Sequence, residues 1–266
     1  KQHLQAAQAI SQQLGDATLL ALSYKELALV AQAQGDYAHL EKFSRQGVEL
    51  AEQTNNPQVR LFCWQTLALA CAYNNHPTEL YDIYFTIHQL LQAAPNRYLE
   101  AIVAMNLGSM YTEQHEYTLA LQHLQHALDG KYALKSPMIS YTYMKLGYLW
   151  YEVGGFAQAQ KMFAQASVFL HTQSHAIGQI AMQRGLGLLQ QVLGNVTAAH
   201  QHMTMALKSA QETQNVQLEY QVLLEQGDIL MTMDAVQAAI ETYERALTLS
   251  FQLGDTVRVV DAHAAL

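Results

Sequence analysis

Residues 146–166 read LGYLWYEVGGFAQAQKMFAQA. A small residue, Gly147, stands three positions before Trp150. After the pair Gly154-Gly155 come Ala159, Phe163 and Ala166, spaced four and three apart, which is the spacing of one helical face. The glycines supply a helix C-cap, and Phe156 takes the chain back into the core. The stretch therefore reads as two antiparallel helices joined by a tight turn.

The same pattern recurs along the chain. Ala28, Ala68, Gly108, Gly147, Gly187 and Gly227 follow one another at steps of 40, 40, 39, 40 and 40 residues. Nineteen residues after each stands Gly47, Ile87, Ala127, Ala166, Ala206 or Ala246, and one step further back lies Ala7. The flanks agree too: residues 7–16 read AQAISQQLGD and residues 246–255 read ALTLSFQLGD. Self-similarity at such a period is the signature of a repeat architecture. The small residues mark where two helices of a hairpin cross closely. A mid-helix Gly costs up to about 1 kcal/mol relative to Ala, so packing outweighs propensity at these positions.

The turns keep the register. Gly35-Asp36-Tyr37, Gly154-Gly155-Phe156 and Gly194-Asn195-Val196 fill one slot between first and second helix. Pro57, Pro95 and Pro137 fall between repeats, and Pro77 falls inside a hairpin turn. Proline breaks helix interiors, so these positions support the boundaries.

This pattern resembles the tetratricopeptide repeat, W-x2-L-G-x2-Y followed by A-x3-F-x2-A. Trp64-x2-Leu67-Ala68-x2-Cys71 matches the first half. Leu146-Gly147-x2-Trp150 with Ala159-x3-Phe163-x2-Ala166 matches nearly all of it, as does Leu107-Gly108-x2-Tyr111 with Ala120-x3-Leu124-x2-Ala127. Ala239-x3-Tyr243-x2-Ala246 matches the second half. The usual unit is about 34 residues, so this one is long; its period overlaps HEAT and armadillo repeats, against which the small-residue slots argue. Units this long are similar to those of bacterial signalling proteins, both sensor arms of transcription regulators and peptide receptors of quorum sensing.

The expected fold is all-α, a right-handed α-α superhelix of about six hairpins across residues 1–266. The hairpins fall at 17–53, 57–92, 96–130, 136–171, 175–212 and 215–253, with half-repeats at 1–14 and 256–266. The chain opens in a second helix and closes in a first one, without an initiator Met or a polar cap helix. Solenoids need capping repeats for solubility, so a segment of a longer protein is expected.

Composition narrows the function. Of 266 residues, half are apolar and 14% charged, and 22 acidic residues against 14 basic ones leave a formal charge of −8. That balance repels nucleic-acid phosphates. No run is long and apolar enough for a membrane span, and no signal peptide is recognisable. Cys63 and Cys71 lie eight residues apart in one expected helix. That is about 12 Å along the axis, too far for a mutual disulfide. Free buried thiols fit a reducing compartment, so a cytoplasmic protein is expected.

No catalytic constellation emerges. His171 and His175 are four apart but straddle a repeat junction and lack the Glu of a zinc-binding helix. Gly185-Leu186-Gly187 has no preceding strand, and Gly187 already serves the helix crossing. No enzyme activity, cofactor or metal site is expected.

The family resemblance implies that first helices line the binding groove. It places groove positions six and three before, and one and four after, each crossing residue. In the fourth repeat these are Tyr141, Met144, Tyr148 and Tyr151, an amphipathic stripe of the kind enriched at binding hot spots. Met105, Asn106, Lys145, Arg184 and Gln191 join them, with Asn106, Lys145 and Arg184 as anchors for backbone or carboxylate groups. The same tyrosines could instead pack between repeats. The paired Lys and Asn of the family's carboxylate clamp are not matched. The expected role is a protein- or peptide-binding scaffold, or the ligand-sensing arm of a larger cytoplasmic signalling or transcription-regulatory protein. The alternatives are a stand-alone quorum-sensing-type peptide receptor or adaptor and a self-associating structural module, with a homodimer as the corresponding partner.

Overall fold

A computed structural model describes residues 15–74, 76–133, 136, 138–170 and 176–253; the half-repeats expected at 1–14 and 256–266 lie outside them. All regular structure among the described residues is helical. The chain divides into two compact units, Lys1–Gln114 and His115–Leu266.

The first unit holds α1 (Ala17–Ala33), α2 (Tyr37–Glu52), α3 (Pro57–Tyr73), α4 (Pro77–Ala93) and α5 (Arg97–Glu113). Each packs on the next, and the first helices α1 and α3 also touch. The second unit holds α6 (Tyr117–Ala133), α7 (Ile139–Glu152), α8 (Phe156–Leu170), α9 (Ala176–Val192), α10 (Val196–Glu212), α11 (Val216–Thr232) and α12 (Val236–Leu253). Here too each helix packs on the next, and the first helices α7, α9 and α11 lie side by side. This is a stack of helical hairpins, the all-α class expected from the repeat.

Helix starts follow capping chemistry. The side chains of Asp16, Asp36, Asn56, Asn96 and Asn215 accept hydrogen bonds from amides in the first turns of α1, α2, α3, α5 and α11. Each satisfies a donor that the helix itself leaves without a partner. Pro57 and Pro77 stand in the first turn of α3 and α4, where a missing N–H costs nothing. The corner between first and second helix takes a left-handed residue seven positions after the crossing. Gly35, Gly154 and Gly194 fill it with φ of 70°, 77° and 79°, and His115 and Asp234 fill it with 61° and 59°.

The crossing residues are small for the expected reason. A Cβ on Gly147 would lie 2.7 Å from the Phe163 ring, and one on Gly187 would lie 3.0 Å from the Met203 methyl. On Gly227 it would overlap the Tyr243 ring. Phe163, Met203 and Tyr243 each stand three residues before the second small slot, so one second-helix side chain per hairpin presses onto the first-helix backbone. All three are buried.

In the first unit the core gathers Leu40, Leu61, Leu67, Ile83, Ile87 and Val103. Cys63 and Cys71 are both free and buried there. Burial pushes each thiol up to about 11, with Lys25 opposing at Cys63 and Glu79 adding at Cys71. Among the described residues no helix is long and apolar enough to cross a membrane, and no group of three or more His, Cys, Asp or Glu is placed to hold a metal ion.

Candidate functional site

The first helices α7, α9 and α11 give the second unit a shared face. Two glycines of α9 shape its α7 side. Tyr141 and Tyr148 stand seven residues apart on α7, two helical turns. Gly178 and Gly185 stand seven apart on α9. A Cβ on Gly178 would lie 3.4 Å from the Tyr141 hydroxyl, and one on Gly185 would lie 3.2 Å from Tyr148 Cζ. Each tyrosine thus lies over a glycine of the neighbouring first helix.

Tyr148 is held further. Its hydroxyl donates to the Ala181 carbonyl at 2.7 Å, and its ring meets Phe163 edge-on at 5.3 Å. Burial pushes its hydroxyl up to about 12, with Arg184 acting the other way. Burial also raises Tyr141 and Tyr151. All three phenols are therefore neutral donors at physiological pH.

Arg184 is anchored across the next interface. Its Nε donates to Glu225 Oε2 at 2.9 Å, its Nη2 pairs with Glu225 Oε1, and its Nη1 donates to Gln221 Oε1 at 3.0 Å. Burial opposes the charge, but the fork onto Glu225 outweighs it and holds the guanidinium above its ordinary value. The sequence-expected anchor is thus already engaged within the protein, and α9 is tied to α11 as Tyr148 ties α7 to α9.

Met144 is 2% exposed and belongs to the core of the stack. Lys145, Tyr151 and Gln191 are partly exposed. Tyr151 tilts against Phe156 at 6.2 Å across the turn of the hairpin. The slot four after the crossing carries Tyr151, Gln191 and Met231, one from each successive first helix, and Met231 is 47% exposed. The slot one after carries Tyr148, Leu188 and Asp228, whose Oδ1 accepts from the Tyr243 hydroxyl at 2.7 Å.

Met105 and Asn106 lie in the first unit. Met105 is buried, and Asn106 donates to the Tyr84 hydroxyl at 3.0 Å. First-helix pairs recur in this unit: Lys25 Nζ sits 5.8 Å over the Phe62 ring, and Gln32 reaches the Tyr73 hydroxyl at 3.4 Å. Of the nine expected residues, Met105 and Met144 are therefore core residues of their own units and not surface groups. Sequence reasoning missed Glu225, Gly178 and Gly185. Glu225 had a legible signal, since it stands one turn after the groove residue Gln221 and 41 residues after Arg184.

These features define a tetratricopeptide-type scaffold, with first helices stacked into a face and second helices behind it. A tetratricopeptide-repeat family model matches residues 101–131, and the 40-residue period runs through the chain on either side of that match. No curated protein sequence matches it significantly. Solved structures do. The apo form of RapI is 13% identical, with 94% of this chain and 90% of that one covered at a TM-score of 0.76. A Rap protein complexed with Competence and Sporulation Factor is 14% identical, covering 96% and 73% at 0.78. NprR in complex with its cognate peptide NprX is 13% identical, covering 92% and 70% at 0.75. At such identities the likeness shows the fold.

Proposed function

We propose that this chain is a peptide-binding scaffold and that the face of α7, α9 and α11 receives an extended peptide. The observation that carries the reading is the row Tyr151, Gln191 and Met231, one partly or fully exposed side chain from each of three adjacent first helices. An extended segment crossing the helices would meet them in turn. Tyr supplies area and a hydroxyl, Gln a donor and acceptor for peptide backbone, and Met an adaptable apolar contact. Tyr148 and Arg184 act behind this row as braces that fix the spacing of the helices.

The fold shared with a Rap protein solved with a signalling factor and with NprR solved with its peptide supports a peptide ligand. The biological setting we infer is the sensing arm of a bacterial signalling or regulatory protein. The test is a displayed library of random peptides panned on the chain, with selected peptides titrated by calorimetry. Tyr151→Ala with Gln191→Ala is expected to weaken binding at least tenfold, and Tyr148→Phe to leave it within about twofold. Equal binding by the double variant and the parent would refute the assigned face, and failure to select any peptide would refute the function.

A further inference from the structure

The opposite side of the second unit carries a second concavity. An open cleft of about 860 Å³ lies between the second helices α6 and α8, with α7 as its floor. Trp150, Tyr143 and Leu146 form the base, and Leu121, Leu128 and Met162 form the apolar walls. Asp129 and Lys161 stand exposed on opposite rims.

The equivalent slot in the first unit is bridged. Arg45 of α2 pairs with Glu41 of its own helix at 2.7 Å and reaches Glu79 of α4 at 2.6 Å. Repeat register aligns Glu41 with Leu121, Arg45 with Gln125 and Glu79 with Gln158. Each member of the ionic bridge is thus replaced by an uncharged residue where the cleft is open, and Trp150 takes the place of the small Cys71 at its base. An ion pair that would tie the two second helices together is missing, and an apolar surface stands in its place.

The geometry points to a docking groove for an amphipathic helix of a partner protein. Both walls are helices and offer no free backbone edge. A strand laid there would leave its own N–H and C=O groups unsatisfied, whereas a helix satisfies them internally. The lining residues of α6 run from Leu121 to Asp129. That is about 12 Å, two turns of a partner helix. The charges select the partner. α6 and α8 hold the same place in successive hairpins, and Lys161 stands level with Gln122, seven residues before the level of Asp129. The rim is therefore basic at one end and acidic at the other, about 10 Å apart. A complementary helix carries an acidic and a basic residue two turns apart, flanking an apolar ridge. This groove is independent of the first-helix face.

The chain has two tryptophans, Trp64 and Trp150, so Trp64→Phe leaves Trp150 as the reporter. The probe is a 15-residue amphipathic peptide with Leu at positions i, i+4 and i+7 and with Glu and Lys seven residues apart. Saturable blue shift of Trp150 emission is expected, weakened severalfold when the peptide carries two Glu or two Lys in place of the pair. Leu121→Glu, Gln125→Arg and Gln158→Glu together rebuild the ionic bridge and are expected to weaken binding at least tenfold with helical circular dichroism unchanged. Met162→Lys, a single change on the α8 wall, is expected to do the same. Undiminished binding by either folded variant overturns the proposal. So does a Trp150 response to a small apolar dye with none to the peptide, which would make the cleft a small-molecule pocket.

Discussion

Replacing glycine by alanine at two helical positions should have opposite effects, and structure decides the sign. At Gly147 of α7 the new methyl would lie 2.7–2.9 Å from three atoms of the Phe163 ring. That ring cannot retreat. Gly185 of α9 also presses on it, since a Cβ there would lie 2.5 Å from the same ring, and Tyr148 meets it edge-on at 5.3 Å. Overpacking of this kind costs about 1–3 kcal/mol, and the helix propensity gained from Ala returns up to about 1. Gly147→Ala should therefore lose about 1–2 kcal/mol. At Gly47 of α2 the nearest atoms to a new methyl are Ala21 O at 3.5 Å, Tyr24 Cβ at 3.6 Å and Cys63 Sγ at 3.7 Å, ordinary contact distances. Gly47→Ala should gain about 0.5–1 kcal/mol from propensity alone. Urea titrations followed by circular dichroism and by tryptophan emission measure both variants. Phe163→Leu should relieve Gly147→Ala, giving a coupling of about 1 kcal/mol in the double-mutant cycle. A Gly147→Ala variant as stable as the parent would refute the reasoning, because it would mean that the ring yields at no cost.

Three further outcomes follow from the interfaces. Arg184→Met should cost about 1–2 kcal/mol in urea denaturation by leaving Glu225 half-buried without its partner, and Arg184→Met with Glu225→Leu should recover most of it. Tyr148→Phe removes the hydrogen bond to Ala181 and should cost about 1 kcal/mol, seen as faster amide exchange in α9. Cys63 and Cys71 have folded-state values raised from about 9 to about 11 by burial, so the unfolded chain releases their protons first as pH rises. Their contribution is complete below pH 9 and lost between about 9 and 11; thermal melts of Cys63→Ala with Cys71→Ala should fall less steeply than the parent across that window.

The architecture was legible because steric demand writes itself into composition. Where Phe163 or Tyr243 presses on a first helix, only a residue without a side chain fits, and the period appears as Gly147 and Gly227. Caps and corners are local in the same way, as Asp36 and Gly35 illustrate. The candidate face was less legible because its partnerships cross repeats. The stripe of Tyr141, Tyr148 and Tyr151 sets α7 apart from the other first helices in the sequence. Its first two members were hard to assign without knowing that Gly178 and Gly185 lie opposite. Arg184 resembled a free anchor because Glu225 stands 41 residues away. Partner choice at that distance depends on how far each hairpin slides along the next, which single residues do not encode.

The left-handed corner between paired helices carries one more consequence. Gly35, Gly154 and Gly194 make it easily, while His115 and Asp234 make the same bend at about 1 kcal/mol of conformational cost. The bend is therefore inherited by place in the unit and not by the letter that fills it. A unit with another residue at the corner still turns the same way. Shape in such a chain is thus kept in dihedral angles where the letters differ: a family model matches 31 residues, 101–131, while a structure at 13% identity overlays 94% of the length.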